Sequence, residues 1–273
     1  MKTSLLKTLA VAALGCTTLT VAHAHRAWIL ASTTVLSGED QWISVDAAIS
    51  NDLFFPNHFP MQLTSLTVLA PGGGKAELQN SSQGKIRSTF DLNLDKPGTY
   101  KIVSARTGLM ASYKENGENK RFRGSKEEFL KGGLKSKEGL QVTESSSRVE
   151  TIVTSGAPST DVLKPTGEGL ELQVKGTHPN DIFTDEDVTL GLLLNGEPAA
   201  GVEVTVVKGD DRFRKQVDEL KIKTDAAGLF TLKLKEAGRY WLNASVRQEG
   251  GTWEGLPVRK SASYVLTFEA LPQ

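Results

Sequence analysis

The sequence predicts an all-β fold of two β-sandwich domains, and three observations carry that prediction. Short stretches alternate apolar with polar residues or are rich in β-branched ones, as in Gln41–Ile49, Leu63–Ala70 and Gly201–Val207. Turn-forming clusters separate such stretches: "SGED", "PGGG", "DKPG", "LNGEP" and "TDAAG". One pattern, F-x-L-x-L-x-x-x-G-x-Y, occurs twice, at Phe90–Tyr100 and Phe230–Tyr240. In each copy the Phe and both Leu fall on one face of a strand. A turn ending in glycine follows, and a tyrosine opens the next strand, placed to bury its ring and keep its hydroxyl in water. Repetition of a whole strand–turn–strand unit implies two related, immunoglobulin-like domains.

The chain begins as a secretory signal. Lys2 and Lys7 precede an apolar run at Thr8–Ala22, and Ala22-His23-Ala24 offers the small residues signal peptidase requires. The run is shorter than the roughly 18–20 residues of a spanning helix. Residues 1–24 are therefore expected to be removed, leaving an exported, periplasmic protein that begins at His25 and carries no membrane insertion. "ALGC" before Cys16 is a competing lipoprotein-type cut, with Ala13 poorly suited to its position. Cys16 is the one cysteine, so cleavage after Ala24 leaves no disulfide and no thiolate ligand.

The first sandwich is expected over 25–155, closing with "RVETIVTS". It is interrupted at about 114–139 by the most charged stretch of the chain. Ser125 with Glu128 three residues later is a capping-box pattern, so one short helix is expected there, ending by Gly132. The interleaved acids and bases otherwise read as a solvated excursion. Residues 156–169, "GAPSTDVLKPTGEG", read as a linker, and "LELQVKG" opens a second sandwich over 170–273. There a strand, a G-x-P turn, a strand, an Asp-x-x-Gly turn and a further strand follow in the order common to extracellular sandwich modules.

Lys plus Arg and Asp plus Glu each total 32, interspersed, which argues against nucleic acid as a partner. No nucleophile elbow, phosphate loop or zinc-protease helix is present, and no enzyme activity is expected. What remains is histidine: His25, His58 in "NDLFFPNHFP" and His178 in "GTHPNDIF". An N-terminal histidine chelates through its ring and its α-amine, whose reference pKa is about 7.7–8.0. One more imidazole completes a three-nitrogen brace suited to copper and usable by nickel, cobalt or zinc. His58 and His178 lie in proline-flanked loops, where binding residues concentrate. Phe54, Phe55 and Phe59 flank His58 either as an apolar wall or as ordinary core. Asp181, three residues past His178, is the nearest carboxylate candidate, ahead of Asp46 and Asp52. The metal site read from sequence is therefore His25, His58, His178 and Asp181, between the two domains. A module recognising an envelope protein or glycan without metal is the alternative, and a copper monooxygenase a third.

The segments "AHAHRAWILAS", "SNDLFFPNHFP", "RSTFDLNLDKPGTYKI", "KRFRG" and "THPNDIFTDEDVTLGLLLNGEPAAGVEVTVV" together resemble the DUF4198 family. That resemblance covers nearly all of the chain after residue 24. It implies a periplasmic protein of immunoglobulin-like repeats, associated with cobalt or nickel uptake and so with a membrane metal transporter. The family's N-terminal histidine falls on His25 and its "THPND" segment on His178 and Asp181.

Overall fold

The computed structural model describes residues 25–273, and the expected signal segment, Cys16 included, lies outside the described residues. In chain order the first strands are β1 (Arg26–Ala31), β2 (Val35–Leu36), β3 (Gln41–Ser50), β4 (Phe59–Pro60), β5 (Leu66–Ala70), β6 (Gly74–Ala76), β7 (Gln79–Gln83) and β8 (Ser88–Leu94). Then come β9 (Gly98–Glu115), β10 (Glu118–Gly124), the helix α1 (Lys126–Lys131) and β11 (Glu138–Ser155). The rest comprises β12 (Leu170–Val174), β13 (Asp187–Leu194), β14 (Glu197–Pro198), β15 (Glu203–Lys208), β16 (Leu220–Lys223), β17 (Leu229–Lys233), β18 (Gly238–Gln248), β19 (Thr252–Trp253) and β20 (Leu256–Ala270).

These strands form three sheets. The first runs β1-β3-β8-β7, with β4 on β3. The second runs β16-β15-β18-β20-β11-β9-β5-β6, with β2, β10 and β19 attached. The third pairs β12-β13-β14, with β17 beside β13. Predicted alternation holds where one face is solvated: Ser88, Phe90, Leu92 and Leu94 of β8 are buried and the residues between them are not.

The second sheet belongs to both sandwiches. Val149 and Val153 of β11 pack with Trp28 and Phe90 under the first sheet, whereas Ile152 packs with Leu190 and Phe230 under the third. The same division recurs on β18, where Trp241 joins the first core and Tyr240 and Leu242 the second. Neighbouring residues on a strand point to opposite faces. The first and third sheets therefore cover opposite faces of one continuous sheet, joined where β11 runs parallel to β20 from Val142–Val258 to Thr151–Thr267. The segment 156–169, read as a linker, is itself packed: Val162 and Leu163 enter the second core, and the Ser159 hydroxyl accepts from the Thr99 N–H at 3.0 Å.

The repeated pattern maps onto equivalent corners. Phe90, Leu92 and Leu94 enter the first core, and Phe230, Leu232 and Leu234 the second. Gly98 and Gly238 have φ of 132° and 142°, and a Cβ at Gly98 would sit 2.8 Å from the Pro71 ring. The tyrosine hydroxyls are not wet. Tyr100 donates to the Lys96 carbonyl at 3.0 Å and Tyr240 to the Glu236 carbonyl at 2.6 Å. The turn's own backbone replaces water as partner, as in tyrosine corners of sandwich domains.

The charged insertion also departs from expectation. The capping box forms as read, with the Ser125 hydroxyl accepting from the Glu128 N–H and the Glu128 carboxylate from the Ser125 N–H. The stretch is not a solvated excursion, however, because its inner side carries a third core. Fully buried Phe129 meets Phe122 and Trp253 edge-on, beside Leu109, Val142 and Val258.

Charges are buried where the two sandwiches share strands. Arg148 lies 3.2 Å from Glu150 and 3.1 Å from Glu171, and Lys101 lies 4.0 Å from Glu150. The Tyr264 hydroxyl donates to Glu150 at 3.0 Å. All five side chains are nearly excluded from water. Burial alone would raise the Glu171 carboxyl. Hydrogen bonds from the Thr166 N–H and hydroxyl and the Gly167 N–H, together with Arg148, outweigh it and hold the group below its ordinary value.

Candidate functional site

His25 immediately precedes β1, whose first residue, Arg26, pairs with Ser50 at the end of β3. His58 lies in the loop from β3 to β4. The two imidazoles stack, with centroids 3.7 Å apart and planes 9° from parallel. Phe59 leans on the outer face of the pair, its ring centroid 4.0 Å from that of His58.

The loop holds its shape through a chain of hydrogen bonds. The Trp28 indole N–H donates to Ser50 Oγ at 2.7 Å, and that hydroxyl donates to the Asp52 carbonyl at 2.6 Å. Asn57 accepts from the Asn51 N–H at 2.9 Å and donates to the Asp52 carboxylate at 2.7 Å. Phe54 takes a positive φ of 62° and turns its ring inward, edge-on to Trp28. There it lies against Gly209, where a Cβ would come within 2.6 Å of the phenyl ring. Of the three phenylalanines, Phe54 is thus half-buried against the first core, whereas Phe55 and Phe59 are exposed by 40% and 55%.

One side chain from the other half of the chain ties the two histidines together. Buried Asp211 accepts from the Leu53 N–H at 2.8 Å with one oxygen and pairs with Arg26 through the other. Arg26, the residue after His25, also reaches Glu219 at 3.5 Å and lies over the Trp241 ring. Next in sequence, Arg212 stacks 3.9 Å from the Phe55 ring centroid. Sequence reading missed Arg26, Asp211 and Arg212. The run "KGDDRFRK" carries charges of both signs and, read from sequence, does not differ from a solvated loop.

Desolvation and the neighbouring His25 push His58 below its ordinary value, which favours a neutral ring with a free lone pair. Among the described residues no hydrogen bond engages either ring. Lone pairs lie in the ring plane, so near-parallel rings cannot both aim at one ion. Binding requires one imidazole to turn about its Cβ–Cγ bond.

His178 and Asp181 do not join them, and this corrects the four-residue site read from sequence. Among the described residues no three His, Cys, Asp or Glu side chains are grouped to hold a metal. His178 is buried beyond the far end of β1, a strand of about 17 Å, and both its ring nitrogens are engaged. Nδ1 accepts from the Asn180 N–H at 3.1 Å, so Nε2 carries the proton and faces the Ser159 carbonyl at 3.3 Å and Thr99 Oγ1 at 3.2 Å. Asn180 bonds β11 at Ile152 and Thr154, so "THPND" fastens the second half of the chain to the shared sheet. Asp181 is exposed, its N–H bonded to the His178 carbonyl. Asp46 pairs with Arg87 at 3.3 Å, and Asp52 is taken up within the loop.

Burial pushes His178 below its ordinary 6.5, against the smaller opposing effects of the Ser159 carbonyl and Asp181. The unfolded chain therefore binds the extra proton first as pH falls, and this contribution to stability is present above about 6.5 and lost on acidification. Lowering the pH from 7 to 5 is expected to reduce the urea midpoint more in the wild type than in His178→Gln. Equal slopes would contradict the assignment.

The site belongs to a β-sandwich protein that presents a stacked histidine pair on an exposed aromatic rim. Among the described residues no helix is long and apolar enough to cross a membrane. The description "Domain of unknown function (DUF4198)" matches residues 22–248, and the chain belongs to that family. No curated protein matches the sequence. Among solved structures, the D0-D1 domain of intimin is 16% identical and covers 89% of this chain and 97% of its own, at a TM-score of 0.21. A marsupial T cell receptor is 11% identical, covering 91% and 74%, at 0.19. The T6 backbone pilin of Streptococcus pyogenes serotype M6 is 10% identical, covering 88% and 51%, at 0.16. The fold assignment rests on the strand pairings and cores above, not on these overlays.

Proposed function

We propose that the chain is an exported metal-binding protein that holds one nickel, cobalt or copper ion at His25 and His58. Cleavage after Ala24 would convert the His25 nitrogen from a peptide amide into an amine, giving three nitrogen donors from two residues. The observation that carries this reading is the contact between two imidazoles that no described residue hydrogen-bonds. His178, committed to the fold, is left out of the ligand set, and so is Asp181. In the periplasm such a protein would carry its ion to or from a membrane metal transporter and would not act as an enzyme. The second reading, recognition of an envelope protein without metal, is favoured by the exposed rim, where Phe213 is 81% exposed beside Arg212.

The test is equilibrium titration of the chain beginning at His25 with copper(II), nickel and cobalt. One ion per chain is expected. His58→Ala should weaken affinity well beyond the about 10–100-fold typical of lost outer support, whereas His178→Gln should leave it within a few-fold of wild type. Equal affinity in wild type and His58→Ala would leave the second reading.

A further inference from the structure

A cleft of about 600 Å³ lies far from the histidine pair, on the face of the shared sheet covered by the third sheet. That face is covered twice, by the third sheet over Tyr264 and Leu266 and by α1 over Leu109, Val142 and Val258. Between these covers the floor is exposed at Thr107 and half-exposed at Ser146 and Val246, with Ala262 buried beneath them. Thr107, Ser146, Ala262 and Val246 lie side by side on β9, β11, β20 and β18, each paired in register with the next. Three strand spacings make the row about 14 Å long. Leu194 at the end of β13 and Asn195 of the β13–β14 turn stand on one side, and Lys126 and Glu144 on the other.

The lining chemistry selects among ligands. No aromatic ring lines the cleft, so a sugar's apolar face has nothing to stack on. Lys126 is tied to Glu144 at 2.6 Å. Lys260 and Glu168, also at the cleft, carry opposite charges and make no ion pair among the described residues, so the lining suits no polyanion. Asn195 accepts from the Gly169 N–H at 3.0 Å through its carbonyl, which leaves its NH₂ to donate. Alternating donors, hydroxyls and small apolar surfaces (Leu194, Val246) suit a main chain with modest side chains. At about 3.4 Å per residue, four extended residues span the row. We infer that the cleft binds an extended, uncharged or zwitterionic peptide segment, running across the strands. This site is independent of the metal reading.

The probes are individual capped hexapeptides of Ala, Ser, Leu and Asn, without charge or with one Lys and one Glu, added to the isotopically labelled chain beginning at His25. Saturable shifts of the Gly108, Gly169 and Asn195 amides are expected. Thr107→Trp and Gln248→Trp change exposed positions at opposite ends of the cleft. Each should keep the wild-type unfolding midpoint while weakening the peptide response by more than about tenfold through steric filling. Neutral maltose and chitin oligosaccharides, added in place of the peptides, should shift none of these amides. The inference is overturned if peptides produce no saturable shift, if saccharides produce it instead, or if both tryptophan variants bind as wild type.

Discussion

Replacing Arg148 with methionine is expected to destabilise the protein by about 3–5 kcal/mol, the usual cost of removing one partner from a buried ion pair. Arg148 lies between two buried carboxylates, Glu150 and Glu171, and without it Lys101, 4.0 Å from Glu150, is the remaining cation beside them. Most of the cost arises from uncompensated charge rather than from lost attraction. Adding Glu171→Gln to the Arg148→Met chain should therefore recover part of the loss: Glu150 keeps Lys101 as its counterion, and the single glutamine oxygen can still accept from Thr166, though not also from Gly167. Urea unfolding at pH 7 measures all three chains. A double variant no more stable than Arg148→Met would mean the side chains matter for shape and not for charge.

The second large effect is expected at Asp211. Asp211→Ala removes the acceptor of the Leu53 N–H and the principal partner of Arg26, which retains Glu219 and the Trp241 face. The expected cost is about 2–4 kcal/mol, discounted from a fully isolated charge because Glu219 is partly solvated. The consequence for the site is separate. Asp211 touches neither histidine ring but positions both, His58 through the loop and His25 through Arg26. Metal affinity should fall by about tenfold or more, as for other lost outer support. Asp211→Asn keeps an oxygen for Leu53 and should retain most of the affinity while still losing stability. Affinity unchanged in Asp211→Ala would remove its positioning role.

Much of the fold is legible in the sequence because its signals are local. The alternation of β8, the paired Phe-Leu-Leu-Gly-Tyr corners and the Ser125–Glu128 box each specify a conformation within a few residues. What is not legible depends on pairing between distant segments. β11 reads as the end of one sandwich, yet its parallel ladder with β20 makes it the middle of one sheet. Nothing in "VTESSSRVETIVTS" distinguishes a strand buried by one partner sheet from one buried on both faces. The charged insertion misleads for a related reason: Phe122, Phe129 and Trp253 are too widely spaced to show any periodicity before they meet.

At the site, His25 and His58 could be chosen from scarcity and loop context, and their rings do come together. His178 satisfies the same criteria and belongs to the fold, because a buried loop also needs a polar anchor for its backbone. Sequence context does not separate those two uses of histidine. The hydrogen bonds at both nitrogens of His178 do.

The central claim is that the His25 amine and the two stacked imidazoles form one metal site. The most direct measurement compares copper(II) affinity of the chain beginning at His25 with that of the same chain carrying one extra alanine before it. The added residue turns the amine into an amide and leaves every side chain in place. The brace predicts an affinity loss of about 100-fold or more, since a direct ligand should count for at least as much as outer support. Equal affinity in the two chains would contradict it.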